Sequence, residues 1–327
     1  MRDLTRTVVV LTGASSGIGR ATAHAFAGRG ANLVLAARRG EVLREVVSEC
    51  KALGGNAIAV PTDVTDTSAM AHLAKAANEA FGGIDVWVNN AGAGVFGPYM
   101  DARIELHRRV IEINLLGAMY GAAAALPVFQ HQGHGILINN VSLGGWAPAP
   151  FAAAYTASKF GLRGFTASLR QELKDYPGIH VCAVFPSVVD TPGFVHGANV
   201  SGRALEPNGV VYAPEEVART IVNLVQHPRD EVAVGWPARA AQIAYALFPG
   251  PTEHLMGAAM RRYLRHAGPA ARTEGALVHP KPEGQSISGD LRQRKVSTGR
   301  KGSSLAFALA AALIVGTAAV VKARTVR

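Results

Sequence analysis

The sequence predicts an α/β fold: an open, doubly wound parallel sheet with helices on both faces, followed by a C-terminal tail. Three observations carry this expectation. Short β-branched and aliphatic runs alternate with helix-period stretches over residues 7–234. A glycine turn, Thr12-Gly13-Ala14-Ser15-Ser16-Gly17-Ile18-Gly19, joins the first such run to the first helical stretch. Gly13, Asn90, Ser142 and Pro186 each follow or closely follow a strand-like run, so a parallel sheet gathers them at the edge where such folds hold ligands.

Taken in order, residues 7–11 form a first strand, too short for a signal-peptide core. The glycines of the turn let main chain approach a pyrophosphate, and the helix over residues 20–29 offers N–H groups and a positive dipole end. A second strand at 32–36 ends in Ala37-Arg38-Arg39. A site for NAD would place a carboxylate there; two guanidiniums suit a 2′-phosphate, unless they are simply solvated. A helix over 41–53 and a third strand at 57–60 lead to Asp63-Val64, where a carboxylate could bond an adenine amino group. The helix over 67–81 stops at Gly82-Gly83, and a fourth strand at 85–88 runs into Asn89-Asn90-Ala91-Gly92, whose amides can tie down loop backbone beside a ligand.

Residues 103–126 read as a long helical region containing Asn114, and an asparagine inside a helix is ordinarily structural. A fifth strand at 135–141 delivers Ser142, whose hydroxyl can donate to a developing alkoxide. Tyr155 and Lys159 follow at helical i, i+4 spacing on one face. A neighbouring ammonium favours the phenolate and lowers the phenol's pKa, which makes the pair a general acid–base; alone, the same spacing also describes an amphipathic helix with a snorkelling lysine. A sixth strand at 180–185, an irregular lid at 186–211, a helix at 214–226 and a last strand at 232–234 complete the sheet.

The ordered set Thr12-Gly13-x3-Gly17-x-Gly19, Asn89-Asn90-Ala91-Gly92, Asn114, Ser142 and Tyr155-x3-Lys159 resembles the short-chain dehydrogenase/reductase family over roughly residues 5–265. The resemblance implies a Rossmann-type seven-stranded sheet and hydride transfer between a nicotinamide and a carbonyl or alcohol. It casts Tyr155 as proton donor and acceptor and Ser142 as hydrogen-bonder to the substrate oxygen. Lys159 would lower the tyrosine's pKa and hold the nicotinamide ribose, and Asn114 would anchor a relay water. Cofactor contacts are expected from Gly13, Ser15, Ser16, Gly17, Ile18 and Gly19, and from Asp63, Val64, Asn90, Ala91 and Gly92. Pro186, Val189 and Thr191 would add to them, with Thr191 at the carboxamide. Arg38 beside Ala37 is similar to members that prefer NADP(H), and the family usually assembles as homo-oligomers. One departure stands out: Ser187 follows Pro186 where the family usually has glycine, a substitution expected to restrict the backbone.

Phe96, Tyr99, Trp146, Phe151, Phe194 and Val195 fall in loops expected near the nicotinamide, without a cluster of charges. They point to a small lipophilic carbonyl or alcohol as substrate, although the same aromatics could pack the core.

The chain of 327 residues has a net charge of +10, which by itself suggests nucleic acid. Nine Lys/Arg and two Asp/Glu lie from Lys281 onward, so the tail carries +7 and the rest only +3; this argues against a nucleic-acid partner. Cys50 and Cys182 fit neither a disulfide framework nor a zinc site, and no metal is expected.

The domain expectation is a catalytic unit at 1–267, a flexible basic linker at 268–304, a membrane-crossing helix at 305–321 and a basic end at 322–327. Within the catalytic unit, residues 238–266 read as helical segments interrupted at Pro249-Gly250-Pro251. The uncharged run at 305–321 would span about 26 Å at ~1.5 Å per residue, slightly short of a ~30 Å hydrocarbon core. Its apolar side chains favour insertion by roughly 2–5 kcal/mol. Five cations before the run and three after it would keep the catalytic body cytoplasmic. A helix packed on the enzyme is the alternative for this run. At the level of function, the alternative to an oxidoreductase is a catalytically silent, membrane-tethered NADP(H)-binding sensor or scaffold; intact Ser142, Tyr155 and Lys159 argue against it.

Overall fold

The computed structural model describes residues 4–206 and 209–292. The expected membrane-crossing run at 305–321, the basic end and the linker beyond 292 lie outside the described residues.

β1 (Val8–Thr12) is buried along its whole length, as a strand covered on both faces must be. The chain continues through α1 (Gly17–Ala27), β2 (Asn32–Ala37), α2 (Gly40–Ala52), β3 (Asn56–Pro61), α3 (Thr67–Phe81) and β4 (Val86–Asn89). Asp66 starts α3 by accepting from the backbone N–H of Ser68 and Ala69, and Gly82 ends it in a left-handed conformation. A two-residue strand β5 (Val95–Phe96) precedes α4 (Ile104–Ile111) and α5 (Gly117–Gln132), which are joined by a π turn at Glu112–Leu116. β6 (Gly135–Asn140), α6 (Ala153–Glu172), β7 (Ile179–Pro186), α7 (Gly193–His196), β8 (Ala198–Asn199), α8 (Pro214–Gln226), β9 (Glu231–Val234), α9 (Trp236–Leu247) and α10 (Pro249–His266) follow.

Seven strands pair in the order β3-β2-β1-β4-β6-β7-β9, all in parallel. The chain leaves β1 toward β3 on one side and β4 toward β9 on the other. β1 and β4 therefore flank the topological switch point, and the crevice at their carboxyl ends is where this architecture binds ligands. One face is covered by α1, α2 and α8, whose buried Phe26, Leu43 and Ile221 pack on Leu11, Leu33 and Val184. On the other face Met70, Leu73, Ala122 and Phe129 pack against Val10, Trp87 and Leu137.

Three differences from the sequence reading have physical reasons. The helix expected to end at 126 runs through Pro127 to Gln132. An interior proline costs about 3 kcal/mol, and complete burial of Phe129 on the next turn offsets it. The lid at 186–211 is not irregular throughout: α7 forms in it, and β8 pairs with β5 in parallel. Residues 268–292 do not stand clear as a flexible linker but lie along the domain, with Thr273 bridging to Asn199 and Pro269 to Arg203.

Ser187 is accommodated without strain, since its φ is not positive and its N–H donates to Val234 at 2.9 Å. Ile104–Gln132 is long and apolar enough to cross a membrane by composition alone. Its small residues Ala118, Gly121, Ala122 and Ala125 are buried, as in a core helix.

Candidate functional site

The crevice is built from strand ends. Thr12 closes β1 with its hydroxyl, which accepts from the N–H groups of Asn90 at 3.0 Å and Ala91 at 3.1 Å. The Asn90 side chain returns a bond to the Thr12 carbonyl at 3.0 Å and accepts from Asn140 at 2.9 Å. β1, β4 and β6 are thereby laced together just beyond their carboxyl ends. Gly13 takes φ +67°, and a Cβ on Gly19 would strike the Gly13 carbonyl and the Asn90 amide. The loop can lie this close to the strand end only with glycine at both places.

A cavity of ≈ 250 Å³ opens beside the loop. It is lined by Gly13, Ser15, Ser16, Gly17, Ile18 and Gly19, by Arg38, Asp63 and Val64, by Asn90, Ala91 and Gly92, and by Thr191. The structure thus brings nearly all of the expected cofactor residues to one place. Pro186, Val189, Tyr155 and Lys159 do not line it: Pro186 pairs with Val234 in the sheet, Val189 is buried in the core and bridges to Tyr212, and Tyr155 and Lys159, also expected to contact the cofactor, lie in the second half of the site on α6. Arg39 and Arg109 also line it. Arg39 donates to the Ser15 hydroxyl at 3.2 Å. Arg109 donates to Asp63 at 2.7 Å and to the Thr65 hydroxyl at 2.7 Å. Arg109 escaped the sequence reading because a lone arginine on an amphipathic helix gives no sign of the face it serves.

The donor set fits an anion. Burial lowers the pKa of Arg38, partly countered by Asp63 and reinforced by Arg109. Burial and the neighbouring Arg38 and Arg20 lower that of Arg39. Asp63 is less free than expected. Burial pushes its carboxyl up, but bonds from Thr65 and Arg109 outweigh this and hold it below the usual carboxylate range.

The second half of the site lies on β6 and α6. Ser142 sits just past β6 at φ 110°, ψ 159°, a region nearly reserved for glycine, and its hydroxyl accepts from the Gly144 N–H at 3.2 Å. Burial raises the pKa of the Tyr155 phenol, with the neighbouring Ser142 hydroxyl working the other way. Lys159, one turn on, is 5% exposed and donates to the Asn140 carbonyl at 3.0 Å. Burial lowers its pKa to about 8. The sequence expectation that Lys159 lowers the tyrosine's pKa is therefore not what the geometry gives. The ammonium lies 5.7 Å from the ring centroid, and burial that weakens its charge raises the phenol as well. At neutral pH the phenol stays protonated and able to donate.

Asn114 sits in the π turn and is 1% exposed. Its side chain clasps Ala93, accepting from the N–H at 2.8 Å and donating to the carbonyl at 2.9 Å. It also donates to the Ser158 hydroxyl at 2.9 Å, and that hydroxyl donates to the Tyr155 carbonyl at 2.7 Å. Asn114 therefore fixes both the loop that lines the cavity and the first turn of α6. Of the aromatics expected near the substrate, Trp146 is core: it is 3% exposed, stacks on Phe185 at 3.8 Å and donates to Glu231. Phe96 and Phe151 meet at 6.4 Å, while Tyr99, Phe194 and Val195 are exposed.

The family profile described as short chain dehydrogenase matches residues 7–197. An uncharacterized oxidoreductase of Bacillus subtilis, YxnA, is 37% identical over 259 residues, covering 78% of this chain and 73% of the relative. The 3beta-hydroxysteroid dehydrogenase 1 of Eggerthella lenta is 40% identical, covering 66% and 85%. Among solved structures, a metagenomic short-chain oxidoreductase in complex with NADP superposes with TM-score 0.60 at 34% identity, covering 71% of this chain and 98% of that one. An alcohol dehydrogenase from the archaeon Thermococcus sibiricus complexed with 5-hydroxy-NADP gives TM-score 0.61 at 28% identity, covering 70% and 95%.

Proposed function

The chain belongs to the short-chain dehydrogenase family, and from that premise we propose that it is an NADP(H)-dependent oxidoreductase interconverting a small lipophilic carbonyl compound and its alcohol. The observation that carries this reading is one juxtaposition. The Ser142 hydroxyl and the Tyr155 ring stand side by side next to Gly144 at the strand edge, and Lys159 bonds Asn140, which lines the cavity beside Gly13, Asn90 and Arg38. Solved relatives complexed with NADP and with 5-hydroxy-NADP support the cofactor, as does the lack of a carboxylate at Ala37. A relative named for hydroxysteroids supports a lipophilic secondary alcohol or ketone.

The bound nicotinamide supplies or accepts the hydride. The protein's own groups handle the proton. In the reducing direction the Tyr155 hydroxyl, protonated at neutral pH, gives its proton to the substrate oxygen as the carbonyl carbon gains hydride, and the Ser142 hydroxyl donates to the same oxygen. Lys159, with a pKa of about 8, is poised to return a proton toward the phenolate. Asn114 holds the frame on which these groups stand. A homo-oligomer is part of the same proposal, supported by the family resemblance alone.

Tyr155→Phe removes a proton and little volume. It should lower kcat by ~10²–10⁴-fold and leave NADPH affinity nearly intact. A variant keeping more than about a tenth of wild-type turnover, measured with NADPH against a panel of ketones and with NADP⁺ against alcohols, would overturn the role.

The run at 305–321 is proposed to anchor the chain in a membrane with the catalytic unit cytoplasmic, supported by its lack of charge and its flanking cations. The anchored protein should stay with membranes through both alkaline carbonate and high salt, whereas surface attraction alone would release in salt. Full-length protein in the soluble fraction would refute the anchor.

A further inference from the structure

The groups best suited to hold NADP(H) already have partners, and those partners come from the chain's own C-terminal segment. Arg38 donates to the main-chain carbonyls of Ala276 at 2.5 Å, Val278 at 3.2 Å and Leu277 at 3.4 Å. Arg39 donates to those of Lys281 at 2.9 Å and Glu283 at 3.3 Å. In the glycine turn, the Gly17 N–H donates to the Ser286 carbonyl at 3.0 Å, and Arg20 beside it donates to that of Gln285 at 2.7 Å. A row of neutral carbonyl oxygens thus sits on the donors suited to a 2′-phosphate and a pyrophosphate.

The segment is held at both ends. Leu277 is completely buried and joins the core cluster that contains Val110 and Ile113. Leu291 is 8% exposed. Just before it, Asp190 accepts from the Ser288 hydroxyl at 2.8 Å and from the N–H groups of Gly289 at 3.0 Å and Leu291 at 2.9 Å. Asp190 is itself 2% exposed and stands next to Thr191, which lines the cavity. With the segment in place the cavity is ≈ 250 Å³, and Ala276, Pro280 and Lys281 form part of its wall. Pockets for drug-sized ligands run from about 300 to 1,000 Å³, so a dinucleotide needs more room than remains.

We propose that residues 276–291 form an autoinhibitory strap that competes with NADP(H) for Arg38 and the glycine turn. The strap presupposes the NADP(H) site described above. The two occupants use the same donors, so the strap must leave the turn and Arg38 for the phosphates to reach them. The exchange favours the cofactor locally, because a phosphate pairs its own negative charge with the guanidinium where the strap offers only neutral carbonyls. Its affinity is nevertheless reduced by the fraction of molecules in which the strap is down.

Two readouts on the full-length protein test this. Amide hydrogen exchange across 276–291 should rise when NADPH is added to saturation; a fall would mean that the strap closes over the cofactor, and would overturn the proposal. Leu277→Asp, which puts a carboxylate where the strap is anchored, should raise exchange across 276–291 without any nucleotide and leave the core strands protected. It should bind NADPH up to ~10-fold more tightly than wild type if the strap is down in nine molecules of ten. Leu291→Asp tests the other anchor if the first variant loses core protection. Unchanged or weaker binding by a variant with a released strap overturns the proposal. Failure of both forms to bind NADPH, with the strap demonstrably released, overturns the cofactor assignment and the strap role with it.

Discussion

Replacing Arg38 by alanine separates the two jobs the structure gives this residue. Its guanidinium makes three bonds to the carbonyls of 276–278, and it stands where Ala37 leaves no carboxylate to hold a ribose 2′-hydroxyl. Removing it frees the strap, which should help NADPH and NADH by the same factor, since the strap blocks the turn for both. The substitution also removes the partner of the 2′-phosphate, which only NADPH carries. A hydrogen bond to a charged group is worth about 1.5–3 kcal/mol, so NADPH should lose roughly 10–150-fold relative to NADH. The ratio of the two dissociation constants cancels the strap, and that ratio is the quantity to measure. Fluorescence titrations of wild type and Arg38→Ala with both nucleotides give it directly. Arg39 lies next door and donates to the Ser15 hydroxyl, a partner that stays when the strap leaves, so it should restore little of the selectivity. A ratio that changes by less than about threefold would show that Arg38 does not read the phosphate.

Ser142→Ala and Ser142→Gly both delete the hydroxyl and should each lower kcat by ~10²-fold or more. Only glycine is at ease at φ 110°, so Ser142→Gly should be about 1 kcal/mol more stable than Ser142→Ala in thermal unfolding; equal stabilities would show that the position is unstrained. For Lys159, the folded pKa of about 8 lies below the ordinary 10.5, so between these values the unfolded chain binds more protons. Stability should therefore rise with pH across that window, by at most ~1.4 kcal/mol per unit, and the rise should vanish in Lys159→Met. Denaturant titrations of both proteins from neutral pH to about pH 10 decide it, and parallel curves would refute it.

The residues that follow strands were legible because a parallel sheet converts chain order into position. Once β1, β4 and β6 are strands, Gly13, Asn90 and Ser142 have to meet at one edge, whatever the helices do. What that rule does not fix is direction. Trp146 follows Ser142 closely in the chain, yet its ring turns onto Phe185 rather than toward the cavity. Val189 sits between two loop residues but packs into the core. The strap was illegible for a different reason. Its contacts are made by main-chain carbonyls, which every residue has, so a Gly/Pro/Ser-rich composition reads as linker whether or not those carbonyls find donors. The side-chain signal it leaves is a pair of buried leucines, Leu277 and Leu291, in a stretch whose other large aliphatic residues are Val278 and Ile287.

The structure also weighs on the choice between an enzyme and a silent nucleotide-binding scaffold. Three costly features converge on the same few residues. Ser142 takes a backbone conformation that disfavours any side chain. Asn114 sits in a π turn that interrupts the helix between α4 and α5. Lys159 is buried with its ammonium on a carbonyl, and that burial lowers its pKa. Each is destabilising by itself, and hydrogen bonds run from Asn114 through the Ser158 hydroxyl to the Tyr155 carbonyl, one turn before Lys159. The glycine turn and Arg38 supply the donors suited to a nucleotide's phosphates, and none of the three is among those donors. A scaffold would gain stability by a glycine at 142, a regular turn at 114 and an apolar side chain at 159, and would still bind. Retaining all three where the phenol meets the strand edge is what acid–base chemistry requires and binding does not.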